Sequence, residues 1–248
     1  MNDITVTGMI LSSGPIGEYD RRVVLLTRER GRISAFAKGA RKPNSVMVGQ
    51  TSPFVYAEFK LYEGRNSYTI NGISVLNYFE ELRRDMEGVY YGIYFADLAN
   101  YYTREGNDES QTLLLLYQTL KALQNDKLSN RLIRCVYELK LVTIQGEGPQ
   151  VFKCVVSQEE MKDNACFSVD TGGVICTSIR NKISDAIPIS NSTLYTLQYI
   201  MSSKLSKLYN FAVKSSVLSE LELICRRYLK HHMNRELKSR NILETMIK

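Results

Sequence analysis

"RRVVLLTRERGRISAFAKGARK", residues 21–42, contains two of the strands that the N-terminal third of the chain predicts. Ile33, Ala35 and Ala37 alternate with polar or larger residues, and this period of two is typical of a strand with one buried face. Such small apolar residues suit the interior of a tight barrel. Alternating segments also lie at residues 4–10, 55–62 and 67–76. Together these segments predict a small five-stranded β-barrel within about eighty residues.

The outer face of this barrel is predicted to be basic and aromatic. Between positions 21 and 42 the chain has eight Lys or Arg residues and one acidic residue, Glu29. Cations that neutralise phosphates and rings on which bases stack are the usual means of binding single-stranded nucleic acid. The alternative is a solvated basic hairpin, since runs of charge usually face water. The residues predicted to contact nucleic acid are Arg21, Arg22, Arg30, Arg32, Phe36, Lys38, Arg41, Lys42, Lys60 and Tyr62.

Composition agrees with this prediction without deciding it. The 248-residue chain has a formal net charge of +6, which favours an anionic partner but also suits simple solubility. The N-terminus does not have the pattern of a signal peptide, and no apolar stretch approaches the length of a membrane span. The five cysteines are scattered, and we expect them to be reduced thiols in a cytoplasmic protein.

From residue 79 the apolar period changes to that of helices. The spacing predicts helices at residues 81–102, 110–124, 129–145, 191–203 and 211–233. Residues 146–188 are rich in Gly, Asp and Ser with short apolar pieces, which indicates a small insertion containing β-structure. The predicted fold is therefore of the α+β class, with a barrel domain at residues 1–78 and a helical domain at residues 79–248 that contains this insertion.

Several motifs in the barrel and the first helix resemble the bacterial RecO family of recombination mediators. They are "GEYD" at 17–20, "LLT" at 25–27 followed by Gly31, "AFAKGAR" at 35–41, and Leu82-Arg83 with Asp85. The resemblance implies an OB-fold barrel, binding to single- and double-stranded DNA, and annealing of complementary strands. It also implies a nucleoid-associated protein that works with RecR and with single-stranded DNA-binding protein to load RecA. An RNA-binding OB module and a protein-binding adaptor are the alternatives.

Zinc is not expected in the insertion. RecO-like insertions often hold zinc through paired C-x-x-C motifs, but here Ser157 and Ile179 stand where each second thiol is needed. Cys166 lies between Cys154 and Cys176 and is a possible third ligand, without a fourth. We therefore predict that the protein has no cofactor.

The helix at residues 129–145 offers a candidate partner site. Arg131 and Arg134 are three residues apart and share a helix face with apolar neighbours. This face is either a site for the acidic, apolar tail of single-stranded DNA-binding protein or a salt-bridged helix surface. A second basic region, at residues 226–240, either extends a DNA path or is a charged C-terminal helix. No P-loop, nucleophile elbow, zinc-protease or dinucleotide motif is present, and we expect no enzymatic activity.

Overall fold

The computed structural model describes residues 2–65 and 67–246. Five strands close into a barrel in the order β1-β2-β3-β5-β4. All neighbouring pairs are antiparallel except β3 and β5, which are parallel. This is the five-stranded OB-fold arrangement, and the predicted fold class is confirmed. The strands are β1 (Asn2–Ile16), β2 (Asp20–Thr27), β3 (Gly31–Ala37), β4 (Tyr56–Glu63) and β5 (Tyr68–Asn77).

The barrel interior is filled as the alternating pattern predicts. Val23, Leu25, Ile33 and Phe59 are each 1% exposed or less and belong to one apolar core. In β3 every second residue from Gly31 to Ala37 is buried, and the residues between them are partly exposed. The loop between β3 and β4 contains a short helix, α1 (Met47–Gln50), that the sequence did not predict.

Four more helices belong to the same compact unit as the barrel, which comprises residues 2–124 and 237–246 and is called the barrel unit below. The prediction of one helix over residues 81–102 is wrong, because Asp85 interrupts it. The Asp85 backbone is extended, and its carboxylate accepts hydrogen bonds from the amides of Glu87 (3.1 Å) and Gly88 (2.9 Å). Asp85 is thus the N-cap of a new helix. The helices are α2 (Glu80–Arg84), α3 (Met86–Tyr102), α4 (Ser110–Ala122) and α8 (Lys238–Met246).

The terminal helix α8 was not predicted either. It packs against α3, where the Ser239 hydroxyl donates a hydrogen bond of 2.6 Å to the Asp97 carboxylate. Helix α3 in turn packs against β1. The predicted boundary at residues 78 and 79 lies between β5 and α2, so it separates the barrel from its helices, whereas the compact units divide the chain elsewhere.

Residues 125–236 form the second compact unit, called the helical unit below. A buried lysine joins two of its helices: the Lys140 ammonium donates to the carbonyls of Ile200 (3.1 Å), Met201 (2.8 Å) and Ser203 (2.9 Å). Burial lowers the pKa of Lys140. The insertion contains a three-stranded sheet in the order β7-β6-β8. The elements are α5 (Asn130–Ile144), β6 (Ala165–Ser168), β7 (Gly173–Cys176), β8 (Ile187–Pro188), α6 (Asn191–Ser202) and α7 (Ser215–His232).

In the part of the chain that the structure describes, no helix is both long enough and apolar enough to cross a membrane.

Candidate nucleic-acid interface

A row of side chains crosses the outer face of the barrel from strand to strand. In the sheet register Arg22 pairs with Phe36, Phe36 with Thr69, and Thr69 with Tyr62. Each of these residues lies beside a buried neighbour in its own strand, so each has the outward parity. Adjacent strands are about 4.8 Å apart. The row, called the transverse row below, therefore places a cation, two rings and a hydroxyl across four strands.

Cations extend this face beyond the end of β3. Lys38 follows the strand directly, and Lys42 lies in the next turn; both are exposed. Within the described chain, no hydrogen bond or ion pair engages either ammonium. The Arg41 Nη1 atom makes only long contacts, to the carbonyls of Gly17 (3.4 Å) and Glu18 (3.3 Å). These three predicted residues are thus brought together beside the transverse row, with donors available for a ligand.

Arg21 and Arg22 point to opposite faces of β2, although the sequence placed them in one site. The Arg22 Nε atom donates 2.8 Å to the Ser34 hydroxyl on the outer face. Arg21 has the inward parity of Val23 and reaches across the end of the barrel. Its Nη1 atom donates to the Val48 carbonyl (2.8 Å) and the Thr51 hydroxyl (2.9 Å). Arg21 therefore anchors α1 and belongs to the barrel mouth instead of the transverse row.

Arg30 and Arg32 lie at the opposite end of β3 from Lys38. The Arg32 Nε atom donates 3.0 Å to the Thr103 carbonyl, and Arg30 forms an ion pair of 3.4 Å with Glu63. The loop between α3 and α4 passes so close that a Cβ at Gly31 would collide with the Arg104 carbonyl. This loop covers that end of the strand, so the structure separates both arginines from the exposed cations.

The predicted residues on β4 lie on the outer face. Tyr62 is 38% exposed, and Lys60, two residues earlier, is also exposed. The methylene stem of Lys60 passes over Gly72 of β5. Tyr56 has the same parity, but its ring packs 4.9 Å from that of Tyr117 in α4. Beyond Tyr56, the outward-facing residues of this strand, Glu58, Lys60 and Tyr62, are all exposed.

The two arginines of the candidate partner helix have intramolecular partners. Arg131 donates to both carboxylate oxygens of Glu222 in α7, with Nε–Oε1 at 2.7 Å. Arg134 donates 2.8 Å to Glu138, and the side chains of this pair are only 14% and 2% exposed. The geometry is that of a salt-bridged helix surface, and an acidic ligand has to compete with Glu222 for Arg131.

The cysteines of the insertion do not form a tetrahedral thiolate site. Cys166 pairs with Ile175 across the sheet while Cys176 follows Ile175, so these two thiols face opposite sides. Ser157 and Cys176 come together, with 3.7 Å between Oγ and Sγ. Within residues 2–65 and 67–246, no three His, Cys, Asp or Glu side chains are arranged to hold a metal. The residues present do not fit the zinc that the family resemblance implies, and the absence of zinc stays a prediction.

Cys154 occupies an unusual environment in this insertion. Its sulfur accepts hydrogen bonds from the backbone amides of Ser157 and Cys176, both at 3.4 Å. Burial raises the pKa of the Cys154 thiol, but hydrogen bonds from the Ser157 hydroxyl and from nearby amides outweigh this effect and lower the pKa to about 7. The thiolate is therefore stabilised by hydrogen-bond donors.

The second basic region divides between the two compact units. Arg226, Arg227 and Lys230 are exposed on α7, whereas Lys238 and Arg240 belong to α8. Arg240 is held by Glu244 at 3.0 Å. His232 stacks on Tyr228, with 4.3 Å between ring centroids, and burial lowers its pKa. The region is thus not one continuous helix.

A closed five-stranded barrel with appended helices defines an OB-fold protein, and many barrels of this class bind nucleic acids. The family described as Recombination protein O N terminal matches residues 1–79, and that described as Recombination protein O C terminal matches residues 83–241. The chain belongs to the RecO family of DNA repair proteins.

Similar proteins span almost the whole chain. "DNA repair protein RecO" of Acetivibrio thermocellus is 31% identical over 246 residues, covering 99% of this chain and 98% of that protein. "DNA repair protein RecO" of a Thermoanaerobacter species is 30% identical over 248 residues, covering 99% of each. The resemblance on which the sequence analysis relied is therefore confirmed.

Proposed function

We propose that this protein is a recombination mediator that binds single- and double-stranded DNA and anneals complementary strands without covalent chemistry. The observation that carries the proposal is the transverse row together with Lys38, Arg41 and Lys42 at the end of β3. Cationic side chains on an exposed loop are suited to binding phosphates, and aromatic rings on an open sheet surface are suited to stacking with bases. A protein of this kind would act at the nucleoid.

Annealing requires that two polyanions approach each other. Cations that neutralise phosphates on each strand lower the repulsion and release counterions, which supplies most of the affinity for any sequence. The contacts proposed here are to phosphates and to the flat faces of bases. They carry no base-specific information, which suits a protein that has to pair any two complementary strands.

The proposed partners follow from the family. We propose that RecR joins the protein on DNA, that single-stranded DNA-binding protein is contacted through its acidic tail, and that the combined action helps load RecA. Arg131 and Arg134 are the proposed contacts for the tail. The support is their shared position on one face of α5; the competing Glu222 pair would make that contact weak and exchangeable.

The test of DNA binding is the salt dependence of affinity for single-stranded DNA. Log affinity should fall linearly with log salt, with a slope of about −0.7 for each phosphate neutralised. Replacing Lys38, Arg41 and Lys42 by Ala should flatten the slope by about 2, since up to three phosphate contacts are lost. Fluorescence anisotropy with a labelled oligothymidine at several salt concentrations measures both quantities.

A matched control removes the same charge elsewhere. Lys204, Lys207 and Lys214 are exposed lysines of the helical unit, and their triple Ala variant should keep the wild-type slope. Equal slopes in wild type and the Lys38 triple variant, both folded, would move the DNA path away from this end of the barrel. A preference for matched RNA would favour an RNA-binding module instead, and the absence of any salt-sensitive affinity would favour an adaptor.

A further inference from the structure

A pocket opens at the mouth of the barrel, at the end where β2 begins and β3 stops. Its volume is about 210 Å³, and it is lined by Ser13, Gly14, Pro15, Arg21, Arg41, Ser52 and Pro53. No Asp or Glu is among these lining residues. Mouths of β-barrels are common positions for small-ligand sites. The pocket is thus lined by apolar and polar groups together, and its only charged lining residues are the two arginines.

The two arginines bring guanidinium donors to this pocket. Arg21 is held in place by its two Nη1 hydrogen bonds to the loop that contains α1. Arg41 is held more loosely from the other side, through the carbonyls of Gly17 and Glu18. A guanidinium has five N–H donors in a planar fork. In each arginine only the Nη1 donors bind these carbonyl and hydroxyl oxygens. The remaining donors suit an oxyanion, which binds such forks in a bidentate manner.

Ser13 supplies an independent observation. Its hydroxyl oxygen is shielded from solvent and has no hydrogen-bond partner within the described part of the chain. Buried hydroxyls are almost always hydrogen-bonded, because leaving one unsatisfied costs free energy. The residue Ser13 lines the pocket, and a rotation about its Cα–Cβ bond would turn this unpartnered hydroxyl toward an acceptor bound there.

The inward direction of Ser13 results from a β-bulge. The register of β1 against β2 shifts between Ile10 and Ser12, so that Ser13, and not Ser12, lies opposite the inward-facing Val23. A bulge of this kind turns the following side chains to the other face. Here it places the hydroxyl on the same side of the sheet as Arg21, which pairs with Pro15 two residues further along.

We propose that this mouth pocket binds a phosphate group, with Arg21 and Arg41 as the cations and Ser13 as the hydroxyl donor. The proposal deepens the proposed function, since the phosphate would ordinarily belong to the DNA that occupies the neighbouring face. A phosphate at a strand end and a free phosphate ion share this chemistry. The volume of the pocket is several times that of a water molecule, and it accommodates either.

The decisive variants are Ser13→Asp and Ser13→Asn, which differ in charge and little in size. The Asp carboxylate would pair with Arg21 and occupy the anion position, whereas the Asn amide keeps a donor. Wild type and Ser13→Asn should show a thermal midpoint that rises with inorganic phosphate relative to chloride at equal ionic strength. Ser13→Asp should show no such rise.

Oligonucleotides distinguish the sources of the phosphate. If the group is a strand end, a 5′- or 3′-phosphorylated oligothymidine should bind wild type about tenfold more tightly than the hydroxyl-terminated one, as charge-assisted hydrogen bonds predict. That ratio should fall to one in Ser13→Asp. Equal binding of all ends, with the response to inorganic phosphate retained, excludes a strand end, leaves an internal DNA phosphate or the free ion, and still supports a phosphate site.

Two results would overturn the proposal. One is a wild-type protein that neither responds to inorganic phosphate nor distinguishes the oligonucleotide ends. The other is a folded Ser13→Asp variant that behaves as Ser13→Asn in both assays. If Ser13→Asp does not fold, Ser13→Ala, which removes only the donor, must weaken both responses. Salt-sensitive binding of unphosphorylated oligothymidine reports separately on the proposed function, so the two failures remain distinguishable.

Discussion

Truncation of the two rings of the transverse row gives the sharpest test of how this protein holds single strands. We expect Phe36→Ala and Tyr62→Ala each to weaken binding to oligothymidine. Neither ring carries charge, so the slope of log affinity against log salt should stay at its wild-type value. Loss of affinity without loss of slope separates stacking from phosphate contact.

The size of the effect follows from the exposure and the spacing of the rings. Stacking of a base on an aromatic side chain is worth about 1–3 kcal/mol. Phe36 is partly covered and Tyr62 is 38% exposed, so each ring offers part of its surface. We therefore expect the lower end of that range, about 1–1.5 kcal/mol or close to a tenfold loss for each variant.

The second quantity to measure is whether the affinity losses of the two single variants add in the double variant. Phe36 and Tyr62 pair with the same residue of β5, Thr69, from opposite sides. Two strand spacings put their Cα atoms about 10 Å apart. Substitutions at that distance usually add, but the shared neighbour Thr69 can couple the two sites, so full additivity sets the upper limit: the double variant should lose up to about a hundredfold, or close to 2.7 kcal/mol.

The assay is fluorescence anisotropy with labelled oligothymidine at fixed salt, repeated across a salt series. Tyr62→Phe is the matched control, because it keeps the ring and should bind within about twofold of wild type, a difference of roughly 0.4 kcal/mol. Thermal unfolding must show that each variant keeps its barrel. Folded single Ala variants that both bind within that margin of wild type would refute the idea of a stacking platform on this face.

Three further predictions concern the helical unit. Elemental analysis of the purified protein should find no stoichiometric zinc; one zinc per chain would mean that Cys154 and Cys176 have recruited ligands that the described arrangement lacks. A peptide with an acidic, apolar end should bind this unit more weakly in Arg131→Glu or Arg134→Glu and more tightly in Glu222→Gln, which removes the carboxylate that competes for Arg131; unchanged affinity in all three would exclude this face of α5. The Cys154 pKa, lowered to about 7 from 9.0, favours the folded state above the ordinary thiol pKa, and this contribution is lost as pH falls through 7. Resistance to urea should therefore rise from pH 7 to pH 9 in wild type, and a Cys154→Ser variant with the same rise would contradict this account.

The period of two in β3 was sufficient to predict the barrel interior, because every second residue there is small and apolar. The same rule would have separated Arg21 from Arg22, since adjacent residues of a strand face opposite sides. Because Arg21 and Arg22 were counted in one basic run in the sequence analysis, the faces on which they lie were not separated. The parity of a cation thus carried more information about its site than its membership of a charged stretch.

Contacts distant in sequence were beyond prediction. Arg32 is engaged by the Thr103 carbonyl, 71 residues away, and Arg131 by Glu222, 91 residues away. No local pattern announces either partner. By contrast, the break at Asp85 had a local signal, because Asp is a preferred N-cap and its carboxylate meets the amides two and three residues later.

Ser13 was missed for another reason. Simple alternation from the buried Ile10 places Ser12 inside and Ser13 outside, and the bulge reverses this assignment. Bulges depend on how two strands pair and leave no reliable mark in the sequence of one strand. The candidate phosphate site therefore became visible only with the register of β1 and β2.

The transverse row runs across the strands instead of along one of them. Its residues come from four separate segments of the chain, the neighbouring strands β2, β3, β5 and β4, which are hydrogen-bonded to one another in that order. A DNA strand lying along the row would contact all four β-strands at once, so no β-strand could leave the barrel without losing its contact with the DNA. DNA binding would therefore stabilise the barrel against unfolding, and destabilising the barrel would weaken its affinity for DNA.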